Sequence, residues 1–296
     1  FSKGELGSDK IYTPGKDDDT DVKNKPNVIY LQLESFIDPT RVKGVEFSKD
    51  PVPNYRKLMK EYSTGYLTVP AVGAGTANVE FEVMTGISAK FFGPGEYPYK
   101  SVLTEETCEA APYDFKQMGY GTHAIHNHRG AFYNRNKVFA NMGFDTFTCL
   151  EYMNNVMKTP KNWAKDSLLT EQILDALNST EGSDYIYTIS VQGHGKYPTE
   201  QVIENPAITV TKYESEEQRW AYEYYANQVY EMDLFVKELT DTLKNYDEDV
   251  ILVMYGDHLP ALDMTEDSMK DGSSIFQTQY IVWNNFDMKK KNMDIN

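Results

Sequence analysis

The chain has 296 residues, of which 40% are hydrophobic and 13% aromatic. That length and composition allow one large α/β core and exclude a disordered protein. The formal net charge of −16 disfavours broad electrostatic binding to nucleic acid or to an anionic membrane surface. An anionic substrate therefore needs a locally basic pocket. The sequence shows neither an apolar run long enough to span a bilayer nor a signal-peptide pattern.

The N-terminal segment, residues 1–26, is polar, is interrupted by Gly and Pro, and carries the acidic run Asp17–Asp19. These features predict a linker or arm. The character changes at residue 27, where residues 28–33 form a near-continuous apolar run typical of a strand buried on both faces. Glu34 follows the carboxyl end of this strand, and ligands of open α/β sheets collect at that edge.

The rest of the chain alternates predicted strands and helices. Further strands are predicted at residues 65–69, 120–125, 144–147, 185–191, 249–255 and 279–283. Helices are predicted at residues 53–62, 78–84, 104–118, 133–142, 164–177 and 216–246. This alternation predicts a single α/β domain, residues 27–296, with a mostly parallel central sheet and helices on both faces.

The segment 73–86 has the sequence GAGTANVEFEVMTG. Gly73 and Gly75 permit positive φ, Thr76 is a good N-cap residue, and Gly86 can end the helix. A hydroxyl at such a helix start lies beside free backbone N–H groups, where a phosphate would be stabilised. Read alone, the segment is more simply an ordinary loop-to-helix junction.

Four predicted strands end in residues capable of chemistry: Glu34, residues 126–129, His194, and the pair Asp257–His258. Each has a structural alternative, such as a solvated carboxylate for Glu34 or a turn residue for His194. Parallel strands, however, would bring all four ends to one edge of the sheet. Taken together, the four ends favour an active site. His123, inside a strand, is interpreted as a core or edge residue.

The strand ends supply two chemical groups. Glu34, Asp257, His258 and the Thr76 oxygen form a mixed oxygen and nitrogen set that suits Mn²⁺, or alternatively Mg²⁺. Such a metal would lower the pKa of the Thr76 hydroxyl and make it a nucleophile. The second group is cationic or proton-donating and suits the oxygens of a phosphoryl group. Its members are His126, Arg135 and His194, with His128, Arg129 and Lys137 as candidates to extend it.

Five strings occur in order: IYLQLESF, GTANVEFEVMTG, HAIHNHRGAFYNRNKVF, the HG of VQGHGKYP, and MYGDH. As a set they resemble the lipoteichoic acid synthase family of membrane-anchored phosphoglycerol transferases, within the alkaline phosphatase/sulfatase superfamily. The resemblance covers about residues 26–286. It implies a sulfatase/alkaline-phosphatase-like fold and a catalytic domain outside a Gram-positive-type cell. It also implies a membrane span preceding residues 1–26, and a truncated C-terminal part.

The resemblance also implies roles for particular residues. Those that match the family's manganese ligands are Glu34, Thr76, Asp257 and His258, with Thr76 also the nucleophile. Those that match its phosphoglycerol-binding residues are His126, Arg135 and His194. Two pocket positions depart from the family pattern, because Tyr133 stands where Trp is usual and His128 where an acidic residue is usual. These departures leave the headgroup open.

The two cysteines, Cys108 and Cys149, lie in neither a metal-binding spacing nor the C-x-P-x-R string of sulfatases proper. We therefore interpret them as free structural thiols and do not expect sulfate-ester hydrolysis. The expected activity is transfer of glycerol phosphate from a phospholipid headgroup, such as that of phosphatidylglycerol, to a glycan or polymer acceptor. The alternatives are a metal-dependent phosphodiesterase or phosphatase, and a silent teichoic-acid-binding module. No nucleic-acid partner is expected.

Overall fold

The computed structural model describes residues 25–93 and 95–295. The predicted linker therefore lies outside the described residues, except for its last two. The strands are β1 Asn27–Leu33, β2 Glu46–Phe47, β3 Ser63–Thr68, β4 Gly121–His126, β5 Thr146–Cys149, β6 Asp184–Ile189, β7 Val210–Lys212, β8 Val250–Gly256 and β9 Gln277–Asn284. The helices are α1 Pro53–Glu61, α2 Thr76–Thr85, α3 Ala111–Gln117, α4 Arg135–Asn141, α5 Leu169–Leu177 and α6 Glu216–Leu243.

Seven strands form one sheet in the order β3-β9-β8-β1-β6-β4-β5. The five strands from β8 to β5 in this order run parallel. Strand β9 is antiparallel to β8, and β3 is antiparallel to β9. The predicted α/β fold with a mostly parallel sheet is therefore confirmed. Strands β2 and β7 form a separate antiparallel pair that the sequence did not predict, because two or three residues are too few to show an alternating pattern.

Helices cover both faces of the sheet. Helices α1, α5 and α6 contribute to one hydrophobic core, which also contains Ile29 and Leu31 of β1. Helices α2, α3 and α4 contribute to the other, against which Val28 and Tyr30 pack. Because successive strand side chains point to opposite faces, a strand between two cores must be apolar at almost every position. This explains the continuous apolar run in β1.

Three helices begin later than predicted. Pro112 lies in the first turn of α3, where its missing N–H is not needed, so this helix begins at Ala111 and not at residue 104. A short 3₁₀ turn, Asp166–Leu168, precedes α5. Tyr133 and Asn134 have left-handed backbones, with φ of 57° and 56°, and α4 therefore begins at Arg135.

Three further features bear on the expectations from sequence. Cys108 and Cys149 are both free, as predicted. His123 lies inside β4, where its Nε2 is 3.1 Å from Asp184 Oδ1 and its Nδ1 is 2.7 Å from Thr146 Oγ1. It is a buried structural residue. Among residues 25–93 and 95–295, no helix combines the length and the apolar character needed to cross a bilayer.

The parallel order places the carboxyl ends of β1, β4, β6 and β8 at one edge of the sheet. The chain segments that follow these strands approach one another closely. A Cβ atom built on Gly193 would lie 2.1 Å from the carbonyl oxygen of Glu34, a separation that real Cβ atoms do not show. Only glycine allows the segments after β6 and β1 to meet in this way.

We predict that Gly193→Ala lowers the free energy of unfolding by about 1–3 kcal/mol, because the added methyl group pushes Glu34 and its strand end away. Thermal unfolding followed by circular dichroism measures the change. Gly195→Ala is the matched control, since its Cβ would meet no atom closer than 3.6 Å. Equal melting temperatures for the two variants would contradict the close approach.

Candidate active site

Thr76 is the first residue of α2, and its hydroxyl faces the ends of β1 and β8. The N-cap is Gly75, whose φ of 103° suits glycine, so the prediction of Thr76 as N-cap was wrong by one residue. The Thr76 hydroxyl consequently does not cap its own helix. It donates a hydrogen bond to Glu34 Oε2 at 3.0 Å and lies 3.4 Å from His258 Nε2.

Glu34, Asp257 and His258 are buried together, and one ligand atom from each lies within 4.8 Å of the others. Asp257 Oδ1 accepts hydrogen bonds from the backbone N–H groups of Ser35 and His258, both at 2.7 Å. Asp257 Oδ2 is buried and has no hydrogen-bond partner among the described residues, although His258 Nε2 lies 3.4 Å from it. The backbone carbonyl of Leu259 lies 2.9 Å from His258 Nδ1, so Nδ1 donates, and in the neutral ring Nε2 keeps a lone pair for a metal.

These observations fit a bound divalent cation. Two carboxylates and one imidazole nitrogen form a donor set suited to Mn²⁺ or Mg²⁺, and a cation would satisfy the unpartnered Asp257 oxygen. Burial and the neighbouring Glu34 raise the pKa of Asp257 to about 7. Burial opposes protonation of His258, but the charges of Asp257 and Glu34 raise its pKa. Without a metal, the group therefore retains protons near neutral pH.

His126 ends β4 and is buried. Its Nδ1 lies 2.9 Å from the carbonyl oxygen of Ile189 in β6, so Nδ1 donates and the Nε2 lone pair is left for the site. Burial, together with the charge of Arg135, lowers the pKa of His126 well below its usual value. The ring is therefore neutral at pH 7 and can accept a proton or a hydrogen bond.

Arg135 is buried, and Glu80 holds it. Its Nε and Nη2 donate to the two Glu80 carboxylate oxygens at 3.1 Å and 2.5 Å, and its Nη1 donates only to the carbonyl of Phe132 at 3.4 Å. The cation predicted to hold a phosphate is therefore already compensated by a carboxylate. Glu80 was not predicted as a site residue, although its position four residues after Thr76 on α2 places both on one helix face.

Aromatic rings form another wall of the site. The ring of Trp163 lies 4.3 Å from the ring of His194 and 5.6 Å from that of His128, measured between centroids. Tyr133 stacks on Tyr97 at 5.5 Å. Burial and nearby arginines lower the pKa of His128 to about 4. No sequence motif marked Trp163, which is brought here by folding alone.

A cleft of about 470 Å³ unites these features. Its lining includes eight of the nine predicted site residues, and Asp257 lies behind them, fully buried. The eight are Glu34, Thr76, His126, His128, Tyr133, Arg135, His194 and His258. Arg129 and Lys137 do not line it, whereas Lys196 does. The cleft therefore opens at the carboxyl-end edge of the parallel strands, where the sequence predicts the active site.

The chain resembles known proteins in sequence and structure. Residues 26–295 match the family described as Sulfatase. A Rhizobium meliloti (strain 1021) protein named for cyclic beta-1,2-glucan modification is 34% identical over 288 residues, which are 92% of this chain and 44% of the relative. This chain spans less than half the length of the curated relatives it matches.

Two solved structures are similar. The Streptococcus pyogenes phosphoglycerol transferase GacH, in complex with sn-glycerol-1-phosphate, has a TM-score of 0.78 at 25% identity, covering 91% of this chain and 71% of that one. The lipoteichoic acid synthase LtaP of Listeria monocytogenes has a TM-score of 0.67 at 18% identity, covering 88% and 65%. The second likeness, at this identity, concerns the fold alone.

We predict that Mn²⁺ binding strengthens as the pH rises toward 7. Because the pKa of Asp257 is raised to about 7, the metal must displace a proton below that pH. The dissociation constant should fall at least about tenfold for each pH unit gained below 7 and then level off. Isothermal titration calorimetry in buffers of different ionisation enthalpy measures the affinity and the proton release. An affinity independent of pH between 5.5 and 7 would contradict the raised pKa.

We predict that Glu80→Gln destabilises the fold by about 3–5 kcal/mol, because it leaves the buried Arg135 charge uncompensated. Chemical denaturation measures the loss. The control is Asp241→Asn, which removes an exposed pair with Lys237 and should leave stability nearly unchanged. An equally small loss of stability in both variants would show that Arg135 does not depend on Glu80 to compensate its charge.

Proposed function

The chain belongs to the sulfatase family, and within it we propose a metal-dependent phosphoglycerol transferase that uses Thr76 as nucleophile. The donor is an anionic phospholipid such as phosphatidylglycerol, and the acceptor is a glycan or a growing glycerol-phosphate polymer. One observation carries the proposal. The Thr76 hydroxyl lies at the start of α2, 3.0 Å from the Glu34 carboxylate and beside the buried group of Glu34, Asp257 and His258, whose donor atoms suit a divalent cation.

Two relatives support the choice of substrates. GacH is a phosphoglycerol transferase solved with sn-glycerol-1-phosphate. The Rhizobium relative is named for modification of a cyclic glucan, which supports a glycan as acceptor. Both cysteines stand outside a sulfatase-type nucleophile string, which leaves Thr76 as the hydroxyl best placed for attack.

In the first step, the Thr76 oxygen attacks the donor phosphorus. The Oγ1–P bond forms, the P–O bond to diacylglycerol breaks, and Glu34 Oε2 is placed to receive the threonine proton. His194, half-buried at the cleft wall, delivers a proton to the departing alkoxide. His194 Nδ1 donates to the Gly195 carbonyl at 2.5 Å, so Nε2 is the nitrogen that carries the transferred proton.

In the second step, an acceptor hydroxyl attacks the phosphorus of phosphothreonine. The new P–O bond forms, the Thr76 Oγ1–P bond breaks, and the proton that Glu34 accepted returns to Thr76. The proton that His126 accepts passes to solvent, and His194 regains one from solvent. His126 is suited to remove the acceptor proton, because its neutral ring presents Nε2 as a base. Arg135 Nη1 donates one N–H to the Phe132 carbonyl at 3.4 Å, and its second N–H orients a phosphate oxygen.

The metal would be held by Glu34, Asp257, His258 and the Thr76 oxygen. When bound, it supplies positive charge that lowers the pKa of the threonine hydroxyl and balances the charge developing on the phosphoryl oxygens. The proposal includes an extracellular location at the cell membrane. The resemblance to membrane-anchored transferases supports this location.

We predict that Thr76→Ala lowers turnover at least about a thousandfold, because it removes the proposed nucleophile at the start of α2. Thr76→Ser should retain measurable activity. Thr85→Ala is the matched control, being the same substitution at the other end of α2, where the hydroxyl donates to the Phe81 carbonyl and accepts from the Ile87 backbone N–H. The readout is release of diacylglycerol from phosphatidylglycerol. Full activity of Thr76→Ala would end the proposed mechanism.

The fate of a labelled headgroup distinguishes a transferase from a hydrolase and from a binding module. Phosphatidylglycerol labelled in the headgroup should yield labelled acceptor when a glycan is present, and mass spectrometry should find the phosphoglycerol adduct on the peptide containing Thr76. Free glycerol phosphate with the acceptor present would indicate a hydrolase instead. Bound Mn²⁺ without any turnover would indicate a binding module.

A further inference from the structure

His126 ends β4 and His194 follows β6, and a single carboxylate connects these two chain segments. Asp166 is fully buried. Its Oδ1 accepts hydrogen bonds from Asn127 Nδ2 at 2.7 Å and from the backbone N–H groups of Val191 at 3.2 Å and Gln192 at 3.3 Å. Asn127 is the residue after His126, and Gln192 is two residues before His194.

The connection is fixed from behind. The Asp166 backbone N–H donates to Gln192 Oε1 at 2.8 Å, and Gln192 Nε2 donates in turn to Gln228 Oε1 at 3.2 Å and to Glu231 of α6. The preceding residue, Lys165, also bonds Glu231, at 2.8 Å. Residues 165 and 166 are therefore anchored to the longest helix of the described chain.

The same segment contacts the histidines from the cleft side. Trp163 lines the cleft, with its ring 4.3 Å from the ring of His194 and 5.6 Å from that of His128. Residues 163–166, here called the clamp, thus hold the two histidine segments by hydrogen bonds within the protein and by ring contacts at its surface.

Asp166 makes this connection at an energetic cost. It is buried, it forms no ion pair within residues 25–93 and 95–295, and its Oδ2 has no hydrogen-bond partner. Burial raises the pKa of Asp166 to about 6. A buried carboxylate without a cation is unfavourable, so a residue whose only role was to fill space would be better apolar.

We propose that the clamp is a positioning element of the phosphate site, in which Asp166 fixes the distance between His126 and His194 and Trp163 fixes the His194 ring. This proposal rests on the proposed function, in which both histidines act on the transferred phosphate. Asp166 is a positioning residue, since it acts through Asn127 and residues 191–192. Displacing catalytic groups by about 1 Å can lower a rate about 10²-fold.

The first test is Asp166→Ala, which removes all three acceptor contacts. We expect kcat to fall about 10²-fold while the affinity for Mn²⁺ changes less than about twofold, because the metal group follows β1 and β8. Asp166→Asn keeps an oxygen acceptor and should restore most of the activity. The matched control is Asp233→Ala, which removes another buried carboxylate that accepts three hydrogen bonds, here from Asn54 and Tyr55. It should lose stability and keep kcat.

A second measurement does not depend on turnover. The chain has five histidines, whose ring signals can be resolved and assigned by NMR with single His→Gln variants. Asp166→Ala should shift the signals of His126 and His194 and leave His123 unchanged, and it should weaken binding of sn-glycerol-1-phosphate about tenfold or more. These shifts would support the clamp even if the wild-type chain proves not to transfer glycerol phosphate.

Trp163 keeps the test decisive if Asp166→Ala does not fold. Trp163→Ala should shift the His194 signal and lower kcat, whereas Trp163→Phe, which keeps a ring, should retain most activity. The proposal is overturned if the histidine signals are unchanged in folded Asp166→Ala or, where that variant does not fold, in Trp163→Ala. It is equally overturned if Asp166→Ala and Asp233→Ala lose activity only in proportion to their loss of folded protein.

Discussion

The burial of Glu34, Asp257 and His258 in one group is the constraint on which the site depends. When two carboxylates and an imidazole are buried within 4.8 Å of one another, the ionisation of each group depends on the charge of the others. Two negative carboxylates repel each other, and water is not there to screen them. The raised pKa values of Asp257 and His258 express this conflict, and a divalent cation resolves it. The sheet serves this group directly, because neighbouring parallel strands β1 and β8 deliver its members side by side.

The phosphate side of the cleft is less cationic than its residues indicate. Glu80 compensates Arg135, and His126 is neutral. The negative charge of a phosphate would therefore be met mainly by the metal and by the start of α2, and the remaining groups would act as directional hydrogen-bond partners. This balance suits a chain with a net charge of −16, because affinity for anions is confined to one small region.

Much of the fold followed from the sequence, and the reasons are physical. Strands buried on both faces need continuous apolar runs, so β1, β6 and β8 were visible as strings. Residues capable of catalysis or metal binding come directly after those strings, and they indicated which edge of the sheet holds the site. The resemblance to a known family then assigned roles that spacing alone left open, and the family match and the fold agree with it.

The remaining features depend on contacts distant in sequence. Glu80 is visible as a partner of Arg135 only when α2 packs beside α4, and Asp166 only when β4 and β6 pair. Local backbone choices were also missed: the left-handed φ of Gly75 makes Thr76 the first helical residue, and that of Tyr133 delays α4. In both places a side chain lines the cleft, namely that of Thr76 or of Tyr133. Helix propensity alone does not predict such a local backbone choice.

The most direct test of this account is the position of the metal relative to Thr76. Crystals grown with Mn²⁺ and measured at an energy where manganese scatters anomalously would locate the ion without bias. The account predicts one strong peak within bonding distance of Glu34, Asp257 Oδ2, His258 Nε2 and the Thr76 oxygen. A peak that excludes the Thr76 oxygen, or no peak at this group, would contradict it.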